Sequence, residues 1–331
     1  MFLCFFVGVF WAANFVFAPV SSSSKPVRVD IPLGSSAGQI AKRLKKAGVI
    51  RSATAFQIFA RLYGASKNMR AGEYEIPPNL GVIEVIDKLV AGDAVQQWVV
   101  IPEGRRVSQV AQLLSSQGLA RSAEFMRAAR RKPKAYGLLL PVSRSSVEGY
   151  LMPDSYKFPK QISERKLVRH MLENWNAKVY RPNRALFDSS DLPLDKIVIV
   201  ASMIEREARV PADRPLISSV VRNRLKKNMR LQIDATVQFA LGYHKSVLTF
   251  KDLKVDNPYN TYRNAGLPPG PICSPGLDAI LAALKPADTD YLYYVAKPDG
   301  SHIFTRTGAE HQAAILKARK MREEQSVAGG Q

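Results

Sequence analysis

Two glutamates, separated by a single residue, close the most apolar helical segment of the chain. Glu205 and Glu207 stand in VIVASMIEREARV, residues 198–210. At about 100° per helical residue, side chains at this spacing diverge by roughly 200° and cannot share a face. They are therefore not an acid and base paired on one surface. A reacting glutamate here works alone or with a partner from elsewhere in the chain.

The helical wheel gives the two carboxyl groups different surroundings. It places Glu207 beside Val200 and Met203, and it places Glu205 above Ser202. A carboxyl among apolar neighbours loses hydration, which raises its pKa. A glutamate with a raised pKa can act as a general acid near neutral pH, as in enzymes that cleave glycosidic bonds. Glu207 is thus the better acid candidate. The alternative is that both glutamates are surface residues paired with nearby lysine or arginine side chains.

No other common catalytic motif is present in the sequence. The chain has no GxxxxGK[ST] phosphate loop, no GxSxG elbow and no HExxH motif, and its four histidines lack metal-ligand spacing. Cys273, in PICSPG, is a candidate nucleophile, but a lone cysteine beside prolines is more often structural. The spacing of these residues predicts no metal site.

The charge balance is strongly basic. Forty-eight Lys+Arg against 28 Asp+Glu give a formal net charge of +20. This favours an anionic partner such as nucleic acid, lipid headgroups or an acidic polymer, although a solvated basic surface without a ligand is the alternative. No zinc-finger spacing or RNA-binding aromatic signature is found, so we predict no nucleic-acid partner.

The first twenty residues, MFLCFFVGVFWAANFVFAPV, carry no charge. Their length fits one membrane-spanning helix better than the shorter apolar core of a cleaved signal peptide, which is the alternative. No second apolar run of this length follows. We therefore predict a transmembrane anchor at residues 1–20 and a linker at residues 21–28.

An internal repeat follows the predicted linker. Residues 29–53 match residues 99–123, including Gln39 with Gln109 and Gly48 with Gly118. Each copy predicts a short strand, a turn with proline and glycine, and a helix closed by glycine. A strand in AGEYEIPP and a helix in GVIEVIDKLVAGD separate the copies. We predict a small α+β region at residues 29–97 and a second repeat unit at residues 98–160.

The second half, residues 161–325, is predicted to be a mainly helical domain with a small β-hairpin. The hairpin lies in DYLYYVAKPDGSHIF and turns at Pro298–Gly300. A helix is predicted at residues 277–284, and another begins after Asp213 as its cap, with Pro215 in the first turn. The predicted fold class is therefore α+β.

Residues 256–276 form a long segment without helical or strand periodicity. NPYNTYRNAGLPPGPI is rich in asparagine, tyrosine and proline. Asparagine amides and tyrosine hydroxyls can bond sugar hydroxyls, and long ordered loops usually carry function. Gln232, Asp234 and Thr236 stand just before a predicted helix, where Asp234 is alternatively only a cap. We predict that this loop contacts a sugar substrate.

Five sequence motifs occur in the following order along the chain. They are EGYLMPDSYKF (148–158), ASMIEREA (201–208), VVRNRLKKNMRLQIDATV (220–237), NPYNTYRNAGLPPGPI (257–272) and YLYYVAKPDGSHIF (291–304). Together they closely resemble the endolytic murein transglycosylases, the YceG-like family. The resemblance extends upstream to AGEYEIPP and IPEGRRVSQV, so it covers nearly the whole chain after the predicted anchor.

The resemblance implies an inner-membrane anchor with a single pass, a LysM-like N-terminal region and a periplasmic catalytic domain. The family's catalytic glutamate is the second of the E-x-E motif, here Glu207, with Glu205 and Asp234 as supporting residues. Ala208 stands where the family usually has a hydroxyl residue. The substrate-binding residues predicted from these motifs are Glu148, Tyr150, Asp154, Gln232, Thr236, Asn257, Tyr259, Asn260, Thr261, Tyr262, Pro268 and Gly270.

The implied reaction is non-hydrolytic cleavage of the β-1,4 bond between N-acetylmuramic acid and N-acetylglucosamine within a glycan strand, which leaves a 1,6-anhydromuramyl end. One glutamate suffices because the nucleophile is intramolecular, whereas hydrolases use two carboxylates. No metal or organic cofactor is implied. The implied partners are peptidoglycan strands, the membrane and the peptidoglycan synthases whose nascent strands the enzyme terminates.

Two alternatives remain open from the sequence. One is a non-catalytic peptidoglycan-binding scaffold. The other is a hydrolase that uses Glu207 with Asp234 or Asp256.

Overall fold

The computed structural model describes residues 18–137, 146–243, 245 and 247–328. The predicted mixed α+β class is confirmed. The chain divides into two units, and the first comprises the chain up to Val99 together with Leu114–Arg121 and Ser155–Leu167. The second comprises Val100–Leu113, Ser122–Asp154 and the chain from Val168 onward. Residues 98–160, predicted as one segment, are shared between the two units.

The first unit is a small α+β assembly. Its elements in chain order are β1 (Val27–Ile31), α1 (Ala37–Lys46), α2 (Ala53–Leu62), a 3₁₀ turn (Ala65–Lys67), β2 (Gly72–Ile76) and α3 (Val82–Ala91). β1 and β2 are antiparallel, with Val29 opposite Tyr74. The inward residues of the two strands join apolar residues of all three helices in one core. The LysM likeness of this unit stays a prediction.

The repeat predicted from the sequence is seen in both copies. β3 (Gln96–Ile101) and α4 (Val107–Ser116) reproduce the order of β1 and α1. In the first copy Gln39 Oε1 accepts from the backbone N–H of Ser36 at 2.8 Å, and in the second Gln109 Oε1 accepts from the N–H of Arg106 at 3.0 Å. The shared glutamine therefore satisfies the same unpaired backbone donor at each helix start.

The second unit is mainly helical, as predicted. Residues 155–167, with most of β4 and the first turn of α6, belong to the first unit. The elements that follow α4 along the chain are α5 (Ser122–Ala129), a 3₁₀ turn (Pro133–Tyr136), β4 (Asp154–Pro159), α6 (Glu164–Trp175), a π turn (Asn176–Tyr180), α7 (Arg184–Asp188), α8 (Leu194–Glu207), a 3₁₀ turn (Pro211–Asp213), α9 (Arg214–Lys226), α10 (Asp234–Leu241), a 3₁₀ turn (Asp252–Lys254), α11 (Leu277–Leu284), β5 (Tyr293–Ala296), β6 (His302–Thr305) and α12 (Gly308–Ala328). β4 pairs with β3, and both strands cross the boundary between the units, as α4 and α6 also do.

α8 is the central helix of this unit. All residues from Ile197 to Ile204 are buried, so this part of the helix is enclosed on every side and lies inside the core. It packs against α11, α9 and α10. The helix ends at Glu207, because Ala208 has extended backbone angles. Glu207 therefore stands where the buried helix leaves the core.

Two further elements agree with the sequence predictions. α11 has the predicted bounds, and β5 and β6 form an antiparallel hairpin that turns at Pro298–Gly300. The segment 256–276 contains no helix or strand, apart from one bridge between Ser274 and Arg105.

The predicted helix cap at Asp213 and the predicted anchor have different outcomes. Asp213 holds the position before α9, and Pro215 lies in the first turn, but the Asp213 side chain does not cap the helix. Its carboxylate instead accepts hydrogen bonds from His302 in β6. Residues 1–17 of the predicted anchor lie outside the described residues, and within the described part no helix is both long and apolar enough to cross a bilayer.

Candidate active site

Glu207 is the centre of a group of polar side chains in the second unit. Its Oε2 accepts a hydrogen bond from the Tyr294 hydroxyl at 3.3 Å, and the backbone N–H of Ala235 also donates to its carboxyl. Ala235 belongs to the first turn of α10, and Tyr294 belongs to β5. Three elements that are distant in sequence thus meet at one carboxyl group.

Burial raises the pKa of Glu207 from 4.5 to about 7, and the nearby negative charge of Asp234 acts in the same direction. The bonds from Tyr294 and Ala235 and the charge of Arg206 oppose this effect because they stabilise the carboxylate. Burial prevails, so the raised pKa expected from the helical wheel is found. At neutral pH the group is poised between its acid and base forms.

Asp234 and Tyr262 form the second pair of the site. The Tyr262 hydroxyl donates to Asp234 Oδ1 at 2.6 Å. Burial and this bond to a carboxylate raise the pKa of Tyr262 above its usual value, and the charge of Glu207 adds to the shift. Both tyrosines near Glu207 therefore stay protonated and act as donors. Asp234 is the first residue of α10, whose cap position is occupied by Ile233.

Gln232 lies beside this pair in a strained backbone conformation. Its φ is 51°, in the left-handed region that residues other than glycine rarely adopt. Its backbone N–H donates to Thr261 O at 3.2 Å, while its side chain is exposed. Such strain persists where surrounding contacts fix the chain, and it is common near functional sites.

Glu205 has a different environment, as the wheel predicts. Its Oε2 accepts from the backbone N–H of Gly276, at the start of α11, at 3.1 Å. Burial raises its pKa, and the negative charge of Glu103 adds to the shift. The carboxylate thus holds a helix N-terminus, where a negative charge is favourable. In the described part of the chain, neither Glu205 nor Glu207 forms a salt bridge.

Cys273 is structural in its contacts. The side chain is fully buried, its Sγ donates to Ser202 O at 3.3 Å, and burial raises the pKa of the thiol. A neutral, enclosed thiol is a poor nucleophile, so the structural interpretation holds.

Several residues predicted to bind substrate make hydrogen bonds or ion pairs within the protein. Glu148 accepts from the backbone N–H of Val107 at 3.1 Å, and burial raises its pKa to about 7. Asp154 bonds Asn174 Nδ2 at 2.6 Å and also pairs with Lys178. Tyr150, Thr236, Pro268 and Gly270 are buried. These residues contribute to the protein framework, and their contact with substrate stays a prediction.

The loop residues Asn260 and Thr261 also bond within the protein, and their contact with substrate stays a prediction. Asn260 is 0% exposed, and its Nδ2 donates to Leu253 O and Val255 O at 2.9 and 2.8 Å. Thr261 Oγ1 accepts from the N–H of Ile233 at 3.0 Å. Both side chains bond neighbouring backbone, because a segment without regular structure must satisfy its buried polar groups in this way.

The remaining loop predictions are partly buried. Asn257 Oδ1 accepts from the backbone N–H of Tyr259 at 2.9 Å. The ring of Tyr259 packs on Phe239 with centroids 4.5 Å apart. Of the predicted site residues, Asp234 and Tyr262 lie near enough to Glu207 for their charges to interact with it or with its partners.

A cleft of about 640 Å³ opens beside Glu207. It is lined by Arg206, Glu207, Arg209, Ala296, Lys297, Pro298, Gly300, His302, Arg322 and Gln325. Its walls are the end of α8, the β5–β6 turn and the C-terminal part of α12. The volume is in the usual range for a ligand site, about 300–1,000 Å³.

Sequence reasoning did not single out Tyr294 or the residues behind it. The edge of the His302 ring meets the ring of Tyr294, with centroids 5.3 Å apart. His302 Nδ1 in turn lies 2.8 Å from Asp213 Oδ2. The tyrosine-rich strand YLYYV is visible in the sequence. Because it is far from Glu207 along the chain, the sequence does not show that Tyr294 bonds Glu207.

Tyr294→Phe tests the role of this hydroxyl. Loss of a bond to a charged group is expected to lower kcat about tenfold, because Glu207 must become a carboxylate during the reaction. Since the bond lowers the pKa of Glu207, its removal should also shift the alkaline limb of the pH profile upward. Tyr293→Phe, on the same strand, is the control. An unmoved alkaline limb in Tyr294→Phe would argue against direct coupling to Glu207.

Comparisons with known proteins agree with the family resemblance. A family model described as the YceG-like family matches residues 29–317. The chain is 35% identical over 325 residues to a protein named endolytic murein transglycosylase from Bacillus subtilis (strain 168), covering 94% of this chain and 90% of that protein. A protein of the same name from Streptococcus pneumoniae serotype 2 is 30% identical, and the match covers 90% of this chain and 60% of that relative.

A solved structure has a similar fold. The crystal structure of a YceG-like protein from Listeria monocytogenes shares 35% sequence identity with a TM-score of 0.60. The match covers 88% of this chain and 99% of that one. On the extent of the family match and of these similarities, the chain belongs to the YceG-like family.

Proposed function

We propose that the chain is an endolytic lytic transglycosylase that cleaves the β-1,4 bond between N-acetylmuramic acid and N-acetylglucosamine inside peptidoglycan strands. The observation that carries the proposal is the burial of Glu207, which raises its pKa to about 7, beside donors from β5 and α10. The names of the relatives from Bacillus subtilis and Streptococcus pneumoniae support the same activity.

The proposed mechanism uses one carboxyl group twice. Protonated Glu207 gives its proton to the glycosidic oxygen as the bond from that oxygen to the muramyl C1 breaks. The resulting carboxylate then takes the proton of the muramyl C6 hydroxyl as O6 bonds to C1. Tyr294 and the N–H of Ala235 stabilise the carboxylate between the two steps. The acid form of Glu207 is restored, and no water is consumed.

In this proposal residues 1–20 hold the chain in the bacterial inner membrane, and the catalytic part lies in the periplasm. The substrate is the glycan strand as it leaves a peptidoglycan synthase, and cleavage ends its elongation. Tyr262 and Asp234, which are bonded to each other, lie near the acid group.

The proposal is tested by the chemical nature of the new strand ends. Purified chain is incubated with peptidoglycan, and the products are treated with borohydride before chromatography. Anhydromuramyl ends resist reduction, whereas hydrolytic ends are reduced. Resistant ends would support the proposal, and a complete absence of new ends would support a binding scaffold.

A second candidate, a two-carboxylate hydrolase, has one observation in its favour. Asp234 is close enough to Glu207 for its charge to raise the pKa of that group. Asp256, the other candidate partner, is almost fully exposed and lies 3.7 Å from Arg263. Reducible ends in the borohydride experiment would favour a hydrolase with Glu207 and Asp234.

The raised pKa of Glu207 predicts a pH profile. Because the first step needs the protonated acid, kcat/KM should fall about tenfold per pH unit above pH 7. Glu148 also has a pKa raised to about 7, so Glu148→Gln is the matched control. Glu148→Gln should show the same fall in kcat/KM above pH 7 as the wild type. Disappearance of this fall in Glu148→Gln would mean that Glu148, and not Glu207, controls the profile.

A further inference from the structure

The cleft beside Glu207 is strongly basic. Arg206, Arg209, Lys297 and Arg322 line it, and Glu207 is the one carboxylate among the described lining residues. A concave surface with one sign of charge concentrates its field and attracts counter-ions. The overall charge of +20 would place cations on any surface. The contacts of each of these four residues therefore decide whether they form a binding site.

Two of the cations are held in place by the hairpin. Arg322 Nη2 donates to Ala296 O at 2.8 Å, at the end of β5. The aliphatic part of Arg209 lies over Gly300, where an added Cβ would be 3.2 Å from Arg209 Cδ. Gly300 has a φ of +85°, which also favours glycine at this turn. The hairpin therefore holds the Arg322 guanidinium by one of its N–H groups and leaves the others available, and it packs against the aliphatic stem of Arg209.

The charges are largely uncompensated within the protein. Lys297 lies 3.3 Å from Asp299, but no described carboxylate forms a salt bridge with Arg206, Arg209 or Arg322. Elsewhere on α12, Arg319 pairs with Glu323 at 3.1 Å. Three arginines without carboxylate partners around one cleft repel each other, and a bound anion would relieve that repulsion.

The identity of the anion follows from the substrate, so this step rests on the proposed function. The hydroxyl and acetamido groups of the glycan are neutral. The muramyl residue carries a peptide on its lactyl group, and the carboxylates of this peptide are the negative charges nearest to the cleaved bond. A cleft next to the acid group is therefore suited to receive the peptide.

We propose that Arg206, Arg209, Lys297 and Arg322 bind carboxylates of the peptide attached to the muramyl residue at the cleavage position. A guanidinium presents paired N–H donors that match the two oxygens of a carboxylate, which suits recognition of an acidic peptide. The enzyme accordingly prefers peptide-bearing glycan over glycan from which the peptides have been removed.

Binding is measured first, in the full chain carrying Glu207→Gln so that no turnover occurs. The two ligands are peptide-bearing strands and the same strands after enzymatic removal of the peptides. Arg209→Gln and Arg322→Gln are added singly and together, and Lys317→Gln on α12 is the control for loss of one charge outside the cleft. Arg206 is not substituted, because its charge also acts on Glu207.

We expect peptide-bearing glycan to bind about tenfold more tightly than peptide-free glycan. Each arginine variant should reduce this ratio about threefold, and the double variant should abolish it, since exposed ion pairs are individually weak. Lys317→Gln should leave the ratio unchanged. Equal binding of both ligands, or an equal loss in Lys317→Gln, would overturn the proposal.

Two further measurements separate the remaining explanations. Vesicles containing anionic phosphatidylglycerol test a lipid headgroup as the anion: weaker vesicle binding by the arginine variants, with an unchanged glycan ratio, would overturn the peptide site. Cleavage by the chain with Glu207 intact tests the proposed function alone. A preserved binding preference without new anhydro ends would refute the activity and leave the peptide site supported.

Discussion

Glu207→Gln is expected to reduce formation of anhydro ends by about 10³- to 10⁴-fold while the protein remains folded. Removing a general acid or base commonly costs 10²- to 10⁴-fold, and here one group performs both proton transfers. Glutamine keeps the size of the side chain and its bond from Tyr294. The rate at which anhydro-ended products form is measured by chromatography with substrate in excess.

Glu205→Gln is the matched control, two positions from Glu207 on the same helix. Its amide oxygen can still accept from Gly276, so α11 keeps its N-terminal partner and measurable activity should remain. If Glu205→Gln is inactive and Glu207→Gln is active, the assignment of the acid is reversed.

Glu207→Gln, which should abolish activity, is expected to preserve or increase the stability of the folded protein at alkaline pH. The folded pKa of Glu207 is raised from 4.5 to about 7, so its ionisation is less favourable in the folded protein. Stability from this group is full below pH 4.5 and falls as the pH rises through 7, by roughly 3 kcal/mol in total. Glu207→Gln lacks this loss and should melt at or above the wild-type temperature at pH 8.

Asn260→Ala is expected to lower the free energy of unfolding by about 3–5 kcal/mol. The substitution leaves two carbonyls, of Leu253 and Val255, and the N–H of Tyr262 without their partner in a partly buried place. Each unsatisfied buried group costs about 1–3 kcal/mol. Chemical denaturation measures this loss, and activity should fall in parallel with the folded fraction.

Two variants make the Asn260 result specific. Asn264→Ala removes a similar amide from an exposed site in the same loop, where water can replace it, and should cost under about 1 kcal/mol. Tyr262→Phe should keep its melting temperature but lose about tenfold in kcat/KM, because its hydroxyl bonds Asp234 at the site. Unchanged melting with weakened glycan binding in Asn260→Ala would restore its assignment to the substrate.

Features that depend on residues close together in the chain could be predicted from the sequence. The wheel of α8 separated Glu207 from Glu205 correctly, because a helix that is buried all round fixes the direction of each side chain. The repeat predicted two equivalent helix starts, and Gln39 and Gln109 indeed make the same bond in both. In these cases the partners lie within a few residues of each other.

Contacts between distant segments could not be derived in this way. Nothing in the periodicity of β5 indicates that Tyr294 meets Glu207, or that Asp213 bonds His302 and leaves the α9 start without a side-chain cap. Composition alone also does not decide the role of Asn260. A polar loop is equally rich in asparagine whether its amides face a ligand or satisfy its own backbone, and only the burial of Asn260 distinguishes the two.

The central claim is that Glu207 works with an intramolecular nucleophile, and it is tested most directly by digesting peptidoglycan in H₂¹⁸O. Mass spectrometry of the new muramyl ends should find them lighter by one water than reducing ends and free of ¹⁸O, with no such ends from Glu207→Gln. New ends that carry one ¹⁸O would show that water is the nucleophile and would contradict the account.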